Sequence, residues 1–254
     1  MTLPQTPSFR LDGKRALIAG ASSGLGLACA MALAENGAAV TLAARRVDVL
    51  DDVVQQMKDR GLDAQALAMD VADIDATARA VADNCPFDIL INSAGLARHS
   101  AAVDTNPADF DAVMAVNLRG AYFLTQAVAK GLVKAGRKGS LINISSQMGH
   151  VGGQDRAVYC ASKFAVEGFT KAMAIELGPY GIRVNTICPT FVLTDLTRPT
   201  FDDPQKRAWV LGKIKLGRPG EVEDIMGVAV YLASDASSLV TGTALMLDGG
   251  WTAD

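Results

Sequence analysis

The chain predicts an α/β fold in which a seven-stranded parallel sheet carries helices on both faces and forms one domain over residues 1–254. Short apolar runs alternate with longer segments whose apolar residues recur at helical spacing. The short runs are apolar almost throughout, which is typical of strands covered on both faces. Helical connections between parallel strands cross over with a right hand, so a doubly wound, Rossmann-type arrangement is expected.

Seven runs predict the strands, and they are Arg15–Ala19, Ala39–Ala44, 64–69, Ile89–Asn92, 141–145, 182–188 and 244–248. The first helix opens in a glycine loop and ends near Gly37, where glycine is a common helix terminator. The second carries apolar residues at helical spacing and stops at Gly61. Further helices are predicted near 74–84, 107–135, 157–177 and 221–233.

One segment breaks this alternation. Residues 190–217 are rich in proline and glycine, and Asp203 followed by Pro204 is good chemistry for the start of a short helix. An irregular insertion of this length in a compact domain is usually functional. We therefore predict a substrate lid over 190–217, with the core of the domain formed by 9–189 and 218–251.

Composition excludes several classes of function. The net charge is −3 and no basic run is present, which argues against a nucleic-acid surface. No apolar stretch reaches 18 residues, so no membrane span is expected, and the first residues lack the features of a secretory signal. The cysteines form no C-x-x-C pair, so neither a disulfide framework nor a metal site is predicted, and a cytoplasmic location is expected. The cysteines are Cys29, Cys85, Cys160 and Cys188.

A glycine loop follows the first strand. Gly20, Gly24 and Gly26 occur in the run GASSGLG, which also contributes Ser22, Ser23 and Leu25. Glycines let the backbone and the helix N-terminus approach a pyrophosphate, whose charge the helix dipole favours. The alternative is a tight turn that only packs closely. The position after the first strand favours dinucleotide binding.

The end of the second strand indicates which dinucleotide is bound. An acidic residue there would bind a ribose 2′-hydroxyl, but this strand ends in Ala44, Arg45 and Arg46. A guanidinium suits a 2′-phosphate, so NADP is favoured over NAD. The alternative is that both arginines are solvated loop charges.

Two more strand ends lie where ligands bind in open α/β sheets. Asp70 and Val71 follow the third strand, and a carboxylate there could accept a hydrogen bond from an adenine amino group. The run from Asn92 to Gly95 closes the fourth strand, and its small residues, Ala94 and Gly95 among them, leave room for a ribose. Turn chemistry alone would also explain each of these residues.

Tyr159 and Lys163 are four residues apart in a predicted helix, so their side chains lie on one face. A phenol with its ordinary pKa of about 10 is a poor base at neutral pH. A nearby ammonium favours the phenolate, so we expect Lys163 to lower the pKa of Tyr159. The alternative is an ordinary exposed helix turn.

These motifs together resemble the short-chain dehydrogenase/reductase family over about residues 9–251. The matching residues are Gly20, Gly24, Gly26, Asn92, Ala94, Gly95, Asn117, Ser146, Tyr159 and Lys163. Three residues depart from the family pattern: Ala19 stands where threonine is usual, Ser93 where a second asparagine is usual, and Thr190 where glycine is more common. None of the three lies in the acid/base machinery.

The resemblance implies roles for individual residues. Tyr159 is expected to be the general acid/base, with Lys163 beside it and bonded to the nicotinamide ribose. Ser145 and Ser146 compete to bind the substrate oxygen, and the family interval of thirteen residues before the tyrosine selects Ser146. Asn117 is expected in a proton relay that runs through water to Lys163, although a satisfied core amide is the alternative. Pro189, Val192 and Thr194 match cofactor-binding positions.

The reaction implied is reversible hydride transfer between NADP(H) and a carbonyl or secondary alcohol. Ser146, Tyr159, Met148 and Phe191 are expected to touch the substrate, together with other residues of 147–153. His99 and His150 are expected to be polar wall or surface residues. Trp251 could pack at a subunit interface or anchor the C-terminus. The family commonly forms tetramers, so a homo-oligomer, tetramer or dimer, is expected.

Three functions remain open at this point. The chain resembles sugar and polyol dehydrogenases of the family, and the mixed polar character of the predicted substrate pocket favours a sugar, polyol or small hydroxy compound. It also resembles 3-oxoacyl-thioester reductases, for which Lys206, Arg207, Lys213 and Lys215 could form a basic patch beside the lid. The third possible function is that of a regulatory protein, which would sense a dinucleotide by binding it without catalysing a reaction. Such proteins typically lose the tyrosine or the lysine, and both are present here.

Overall fold

The computed structural model describes residues 2–253 and contains one seven-stranded sheet. All neighbouring strands run parallel, in the order β3-β2-β1-β4-β5-β6-β7. This confirms the predicted α/β class and each predicted strand, with shifts of one or two residues at several ends. The strands are β1 Arg15–Ala19, β2 Ala39–Ala44, β3 Ala64–Ala68, β4 Ile89–Asn92, β5 Gly139–Ile144, β6 Ile182–Pro189 and β7 Ala244–Leu247.

Helices connect successive strands, and two short helices lie within the segment 190–217. The helices are α1 Gly24–Glu35, α2 Val47–Asp59, α3 Ile74–Asn84, α4 Pro107–Met114, α5 Ala121–Ala135, α6 Ala157–Leu177, α7 Arg198–Asp202, α8 Pro204–Lys213 and α9 Val222–Ala233. Side chains that accept hydrogen bonds from backbone amides mark where several helices begin. Asn106 accepts from the Asp109 amide ahead of Pro107, and Asp203 accepts from the amides of Gln205 and Lys206.

The structure differs from the predicted continuous helix over 107–135. A π-helical turn, Ala115–Gly120, separates α4 from α5 and contains the buried Asn117. A π-turn adds one residue to a helical turn, and such turns are often found at functional sites. Apolar spacing continues across it, so hydrophobic periodicity alone could not reveal it.

Two apolar cores cover the two faces of the sheet. Along β1, Ala16 and Ile18 belong to one core while Leu17 and Ala19 belong to the other, as the two-residue period of a strand requires. Helices α1, α2 and α9 contribute to the first core, and α3, α5 and α6 to the second. The sheet is therefore covered on both sides, which explains the apolar character of its strands.

The order of the strands fixes where a ligand can bind. From β1 the chain proceeds outward through β2 and β3, and then returns to pair β4 with the other side of β1. This reversal opens a crevice at the carboxyl ends of β1 and β4, the usual ligand position in open α/β sheets.

The segment 190–217 folds over the carboxyl end of the sheet and is anchored by aromatic packing. Phe191 stacks on Trp251 with ring centroids 5.8 Å apart, and Trp209 meets Trp251 edge-on at 5.3 Å. Trp251 is 9 % exposed. This packing supports the predicted role of Trp251 as an anchor of the C-terminus, and its role at a subunit interface stays a prediction. Among residues 2–253, no helix is long and apolar enough to cross a membrane.

Candidate active site

A cleft of about 690 Å³ opens at the carboxyl edge of the sheet. This volume lies in the range of small-molecule sites. Most residues predicted to bind cofactor or substrate line it, although they come from segments far apart in the sequence. These residues are Gly20, Ser22, Ser23, Gly24, Leu25, Arg45, Arg46, Asp70, Val71, Ala94, Gly95, Ser146, Met148, Tyr159, Lys163, Pro189, Phe191, Val192 and Thr194.

The glycine loop needs its glycines for space as well as conformation. Gly20 has φ +74°, and a Cβ there would lie 2.7 Å from the Ala94 backbone nitrogen. A Cβ on Gly26 would collide with the Gly20 carbonyl oxygen. Gly26 therefore lies behind the cleft wall and permits the tight turn, whereas Gly24, with φ +56°, lines the cleft itself.

Two arginines stand at the end of β2, as predicted. Arg45 and Arg46 are exposed and line the cleft, and Arg46 Nη2 donates to Ser22 Oγ over 3.3 Å. No acidic side chain lies within ion-pair distance of either arginine among residues 2–253. Both guanidinium groups are therefore available to an anionic group of a ligand.

The ends of β3 and β4 form the next part of the wall. Asp70 is exposed, and its Oδ1 accepts from the Ala72 amide over 3.0 Å. Asn92 is buried and does not line the cleft; it donates to Asn143 Oδ1 over 3.0 Å and accepts from the Ala94 amide. Asn92 thus holds the turn in which Ala94 and Gly95 face the cleft.

The predicted reactive side chains converge at the carboxyl end of β5. Ser146 follows that strand, and Tyr159 and Lys163 extend from the first turns of α6. The Lys163 Nζ lies 5.6 Å from the centroid of the Tyr159 ring and donates to the Ile144 carbonyl oxygen over 2.9 Å. The structure therefore brings together the serine, tyrosine and lysine expected from the sequence.

Burial dominates the ionisation of this group. It raises the pKa of Tyr159, opposed by a hydrogen bond with Ser146 and by the positive charge of Arg156. Burial also lowers the pKa of Lys163 to about 8, while Cys188 and Glu167 act in the opposite direction. The expectation that Lys163 brings the pKa of Tyr159 below its ordinary value is therefore wrong for this structure, because desolvation of the phenolate outweighs the nearby cations.

Asn117 connects two parts of the site through its amide. Its Oδ1 accepts from the Leu96 amide over 2.7 Å, and its Nδ2 donates to the Leu96 carbonyl and to Ser162 Oγ. It does not line the cleft. The π-turn places this amide between the loop after β4 and α6, so Asn117 fixes the distance between them.

Two cleft residues escaped the sequence analysis or were given a minor role there. Arg156 was overlooked, and His99 was expected to be only a wall residue. The His99 ring meets Tyr159 edge-on with centroids 5.9 Å apart, and Arg156 Nη1 contacts His99 Nε2. A signal for Arg156 was present, since positions 156, 159 and 163 share one helix face.

The other histidine belongs to a buried polar cluster behind Lys163. His150 Nε2 lies 3.7 Å from Glu167 Oε1, and the Cys188 thiol donates to the same oxygen over 3.2 Å. These three donor atoms lie within 4.8 Å of one another, close enough to share one metal ion. Glu167 also accepts from Thr186 Oγ1, so the cluster is already hydrogen-bonded. His150 was predicted as a wall or surface residue; its side chain is 29 % exposed, and its ring also contacts this cluster.

Known proteins share both the sequence and the fold. A family model described as enoyl-(acyl carrier protein) reductase matches residues 20–252. The chain is 39 % identical to D-erythrulose reductase of Gallus gallus over 96 % of this chain and 98 % of that one, and 42 % identical to D-threitol dehydrogenase of Mycolicibacterium smegmatis over 96 % and 95 %.

A solved structure extends this likeness to three dimensions. Gluconate 5-dehydrogenase of Burkholderia cenocepacia, crystallised with NADP and tartrate, superposes with a TM-score of 0.94 at 36 % identity and covers 97 % of this chain and 98 % of that one. With the glycine loop, Ser146, Tyr159 and Lys163 placed around one cleft, the chain belongs to the short-chain dehydrogenase/reductase family of nicotinamide-dependent oxidoreductases.

Proposed function

We propose that this chain is an NADP(H)-preferring oxidoreductase that interconverts a carbonyl and a secondary alcohol on a sugar, polyol or small hydroxy compound. One observation carries the proposal: the cleft that holds the glycine loop and Arg45 also holds Ser146, Tyr159 and Lys163. A dinucleotide lying along the loop would therefore end beside an acid/base group.

The residues of the cleft fit this cofactor. Gly20 and Gly24 leave the loop without side chains where the backbone must approach a pyrophosphate, and the N-terminus of α1 favours its charge. Arg45 and Arg46 suit a 2′-phosphate, and Asp70 and Val71 stand where the adenine would lie. Pro189, Val192 and Thr194 would hold the nicotinamide end. When bound, NADP(H) supplies or accepts the hydride.

The protein's part is to hold the substrate and move a proton. In reduction, Tyr159 Oη donates its proton to the carbonyl oxygen as that oxygen gains charge, and in oxidation it accepts one. Ser146 Oγ hydrogen-bonds the same oxygen and stabilises the developing charge. Lys163 places a positive charge beside the phenol, and Asn117 keeps α6 in register with the loop after β4. The role of Asn117 in a proton relay stays a prediction.

A hydroxyl-rich substrate is supported by the polar wall of the cleft. Gln147 is buried and lines the cleft, and neither atom of its amide has a hydrogen-bond partner among residues 2–253. Buried amides need partners, and substrate hydroxyls would supply them. The relatives named above act on erythrulose, threitol and gluconate, which fits the same class.

The family description favours one alternative, reduction of an acyl thioester. An assay that follows the absorbance of the reduced nicotinamide distinguishes the two substrate classes. One set of substrates contains polyols, sugar acids and ketoses of four to six carbons, and the other contains acetoacetyl thioesters. Each compound is tested with NADP(H) and with NAD(H). We expect turnover of the hydroxy compounds and a preference for NADP(H). Turnover of the thioester alone would overturn the substrate class, and no turnover of any compound would overturn the enzymatic proposal.

Three further proposals concern the whole protein. The segment 190–217 acts as a lid, because it carries Phe191 and Thr194 over the cleft. The chain forms a homo-oligomer, tetramer or dimer, through α4, α5 and α6, where Phe110, Phe164 and Ile175 are exposed apolar side chains. Light scattering after size-exclusion chromatography tests the proposed oligomer. A cytoplasmic location completes the proposal.

A further inference from the structure

We infer that Arg156 binds a carboxylate on the substrate, so that the preferred substrates are sugar acids or other short hydroxy acids rather than uncharged polyols. This inference rests on the proposed oxidoreductase function and names the chemical class of its substrate. The names of the relatives do not decide it, because they include both uncharged and acidic compounds.

The position of Arg156 places it in the reacting part of the cleft. It is the residue before α6, three residues ahead of Tyr159, and both line the cleft. Burial raises the pKa of Tyr159, and the charge of Arg156 acts on the phenol in the opposite direction. The guanidinium contacts His99, whose ring meets the Tyr159 ring with centroids 5.9 Å apart, so Arg156 lies in the same part of the cleft as the group that would meet the substrate oxygen.

The charge of Arg156 has no ion-pair partner in the described part of the chain. No carboxylate lies within 4.0 Å of the guanidinium among residues 2–253, although the side chain is half-buried. The negative charge of neighbouring Asp155 acts on it without forming a salt bridge. An arginine withdrawn from water without a partner is costly unless a ligand supplies the anion.

The guanidinium is held in place from two sides. Its carbon lies 5.3 Å from the centroid of the Phe191 ring, and Nη1 contacts His99 Nε2. Burial and the charge of Arg156 lower the pKa of His99 to about 4, so this imidazole is neutral above pH 5 and its Nε2 accepts the hydrogen bond. His99 and Phe191 thus orient the arginine without neutralising it.

Most donors of the oriented group remain available. A guanidinium has five N–H donors, and within residues 2–253 only the bond to His99 uses one of them. A fork of two parallel N–H groups matches the two oxygens of a carboxylate. A single arginine beside Asp155 and a neutral histidine suits a monoanion better than a doubly charged phosphate ester.

Matched six-carbon and four-carbon substrates test this. D-gluconate, D-glucitol and D-glucitol 1-phosphate share a carbon chain and differ only in the group on C1, as do D-threonate and D-threitol. Initial rates of NADP reduction at pH 7.5 give kcat/KM for each compound. We expect the wild-type protein to favour each acid over its polyol by tenfold or more, and to use the phosphate ester poorly. Preference for the polyols, or for the phosphate ester, would overturn the inference.

Two variants separate the fork from the charge. Arg156→Lys keeps the positive charge beside Tyr159 but loses the fork, and we expect the acid-to-polyol ratio of kcat/KM to fall about tenfold. Arg156→Gln removes the charge as well, and the ratio should fall about a hundredfold, mainly through KM for the acid. Arg79→Gln, an exposed arginine of α3, is the matched control. An unchanged ratio in both Arg156 variants would overturn the inference.

Calorimetry keeps this test separate from the proposed function. Gluconate and threonate are titrated into the protein with NADPH present, for wild type, Arg156→Gln and Arg79→Gln. If the wild type binds the acids and Arg156→Gln does not, the carboxylate site stands even where no compound is oxidised, and only the proposed reaction fails. Equal binding by wild type and Arg156→Gln, or no binding by the wild type, would overturn the inference whatever the activity.

Discussion

The Lys163 ammonium donates a hydrogen bond to the Ile144 carbonyl oxygen over 2.9 Å, which joins α6 to the end of β5. That strand leads directly into Ser146, so the same contact fixes the serine and the helix bearing Tyr159 relative to each other. One charged side chain therefore positions the reactive groups, whereas burial and Arg156 act on the ionisation of the phenol.

Removal of the Tyr159 hydroxyl should abolish turnover without unfolding the protein. In Tyr159→Phe we expect kcat to fall by about 10²–10⁴, because the general acid/base is lost, while NADPH binding measured by fluorescence is retained. Tyr180→Phe, at an exposed tyrosine beyond α6, should behave like wild type. Near-normal rates in Tyr159→Phe would place the acid/base elsewhere.

The pH dependence of reduction should report on Lys163. Its pKa is lowered to about 8, so the ammonium is charged below that pH and neutral above it, and kcat/KM for reduction should fall as pH rises through about 8. Glu167 raises the pKa of Lys163, so Glu167→Gln should move this decline to lower pH. A pH profile that is the same in Glu167→Gln and wild type would show that Lys163 does not control it.

Cofactor preference should change when a positive charge at the end of β2 is reversed. Arg45→Asp should lower the ratio of kcat/KM for NADP to that for NAD about ten- to hundredfold, since each charge-assisted hydrogen bond to a phosphate contributes about 1.5–3 kcal/mol. Arg60→Asp, at the exposed end of α2, makes the same charge change away from the cleft and should leave the ratio unaltered. An unchanged ratio in Arg45→Asp would refute the role of Arg45.

The glycine loop should tolerate no side chain at Gly26. Gly26→Ala should lower the free energy of unfolding by about 1–3 kcal/mol and weaken NADPH binding, because its Cβ collides with the Gly20 carbonyl. Gly227→Ala in α9 meets open space and should instead stabilise the protein by about 0.5–1 kcal/mol. Urea unfolding checks both, and equal stabilities for the two variants would contradict the packing argument.

Much of the fold follows from local patterns along the chain. Strands such as Ile89–Asn92 are apolar because both faces of a parallel sheet are covered, and glycines after β1 mark a loop that must approach its neighbours closely. Four-residue spacing placed Tyr159 and Lys163 on one face of α6 without any knowledge of the rest of the molecule. These features depend on backbone geometry over a few residues, so the sequence reveals them directly.

Tertiary structure alone decided the features that depend on distant segments. The π-turn at Asn117 is a change of helical register that apolar spacing does not show. The raised pKa of Tyr159 arises from burial by surrounding elements, and the sequence showed only the lysine. Arg156 acquires its orientation from His99 and Phe191, which are 57 and 35 positions away in the chain. The sequence determined the fold and the reactive residues, whereas the electrostatic environment required folding, because desolvation and ion pairing depend on every group packed nearby.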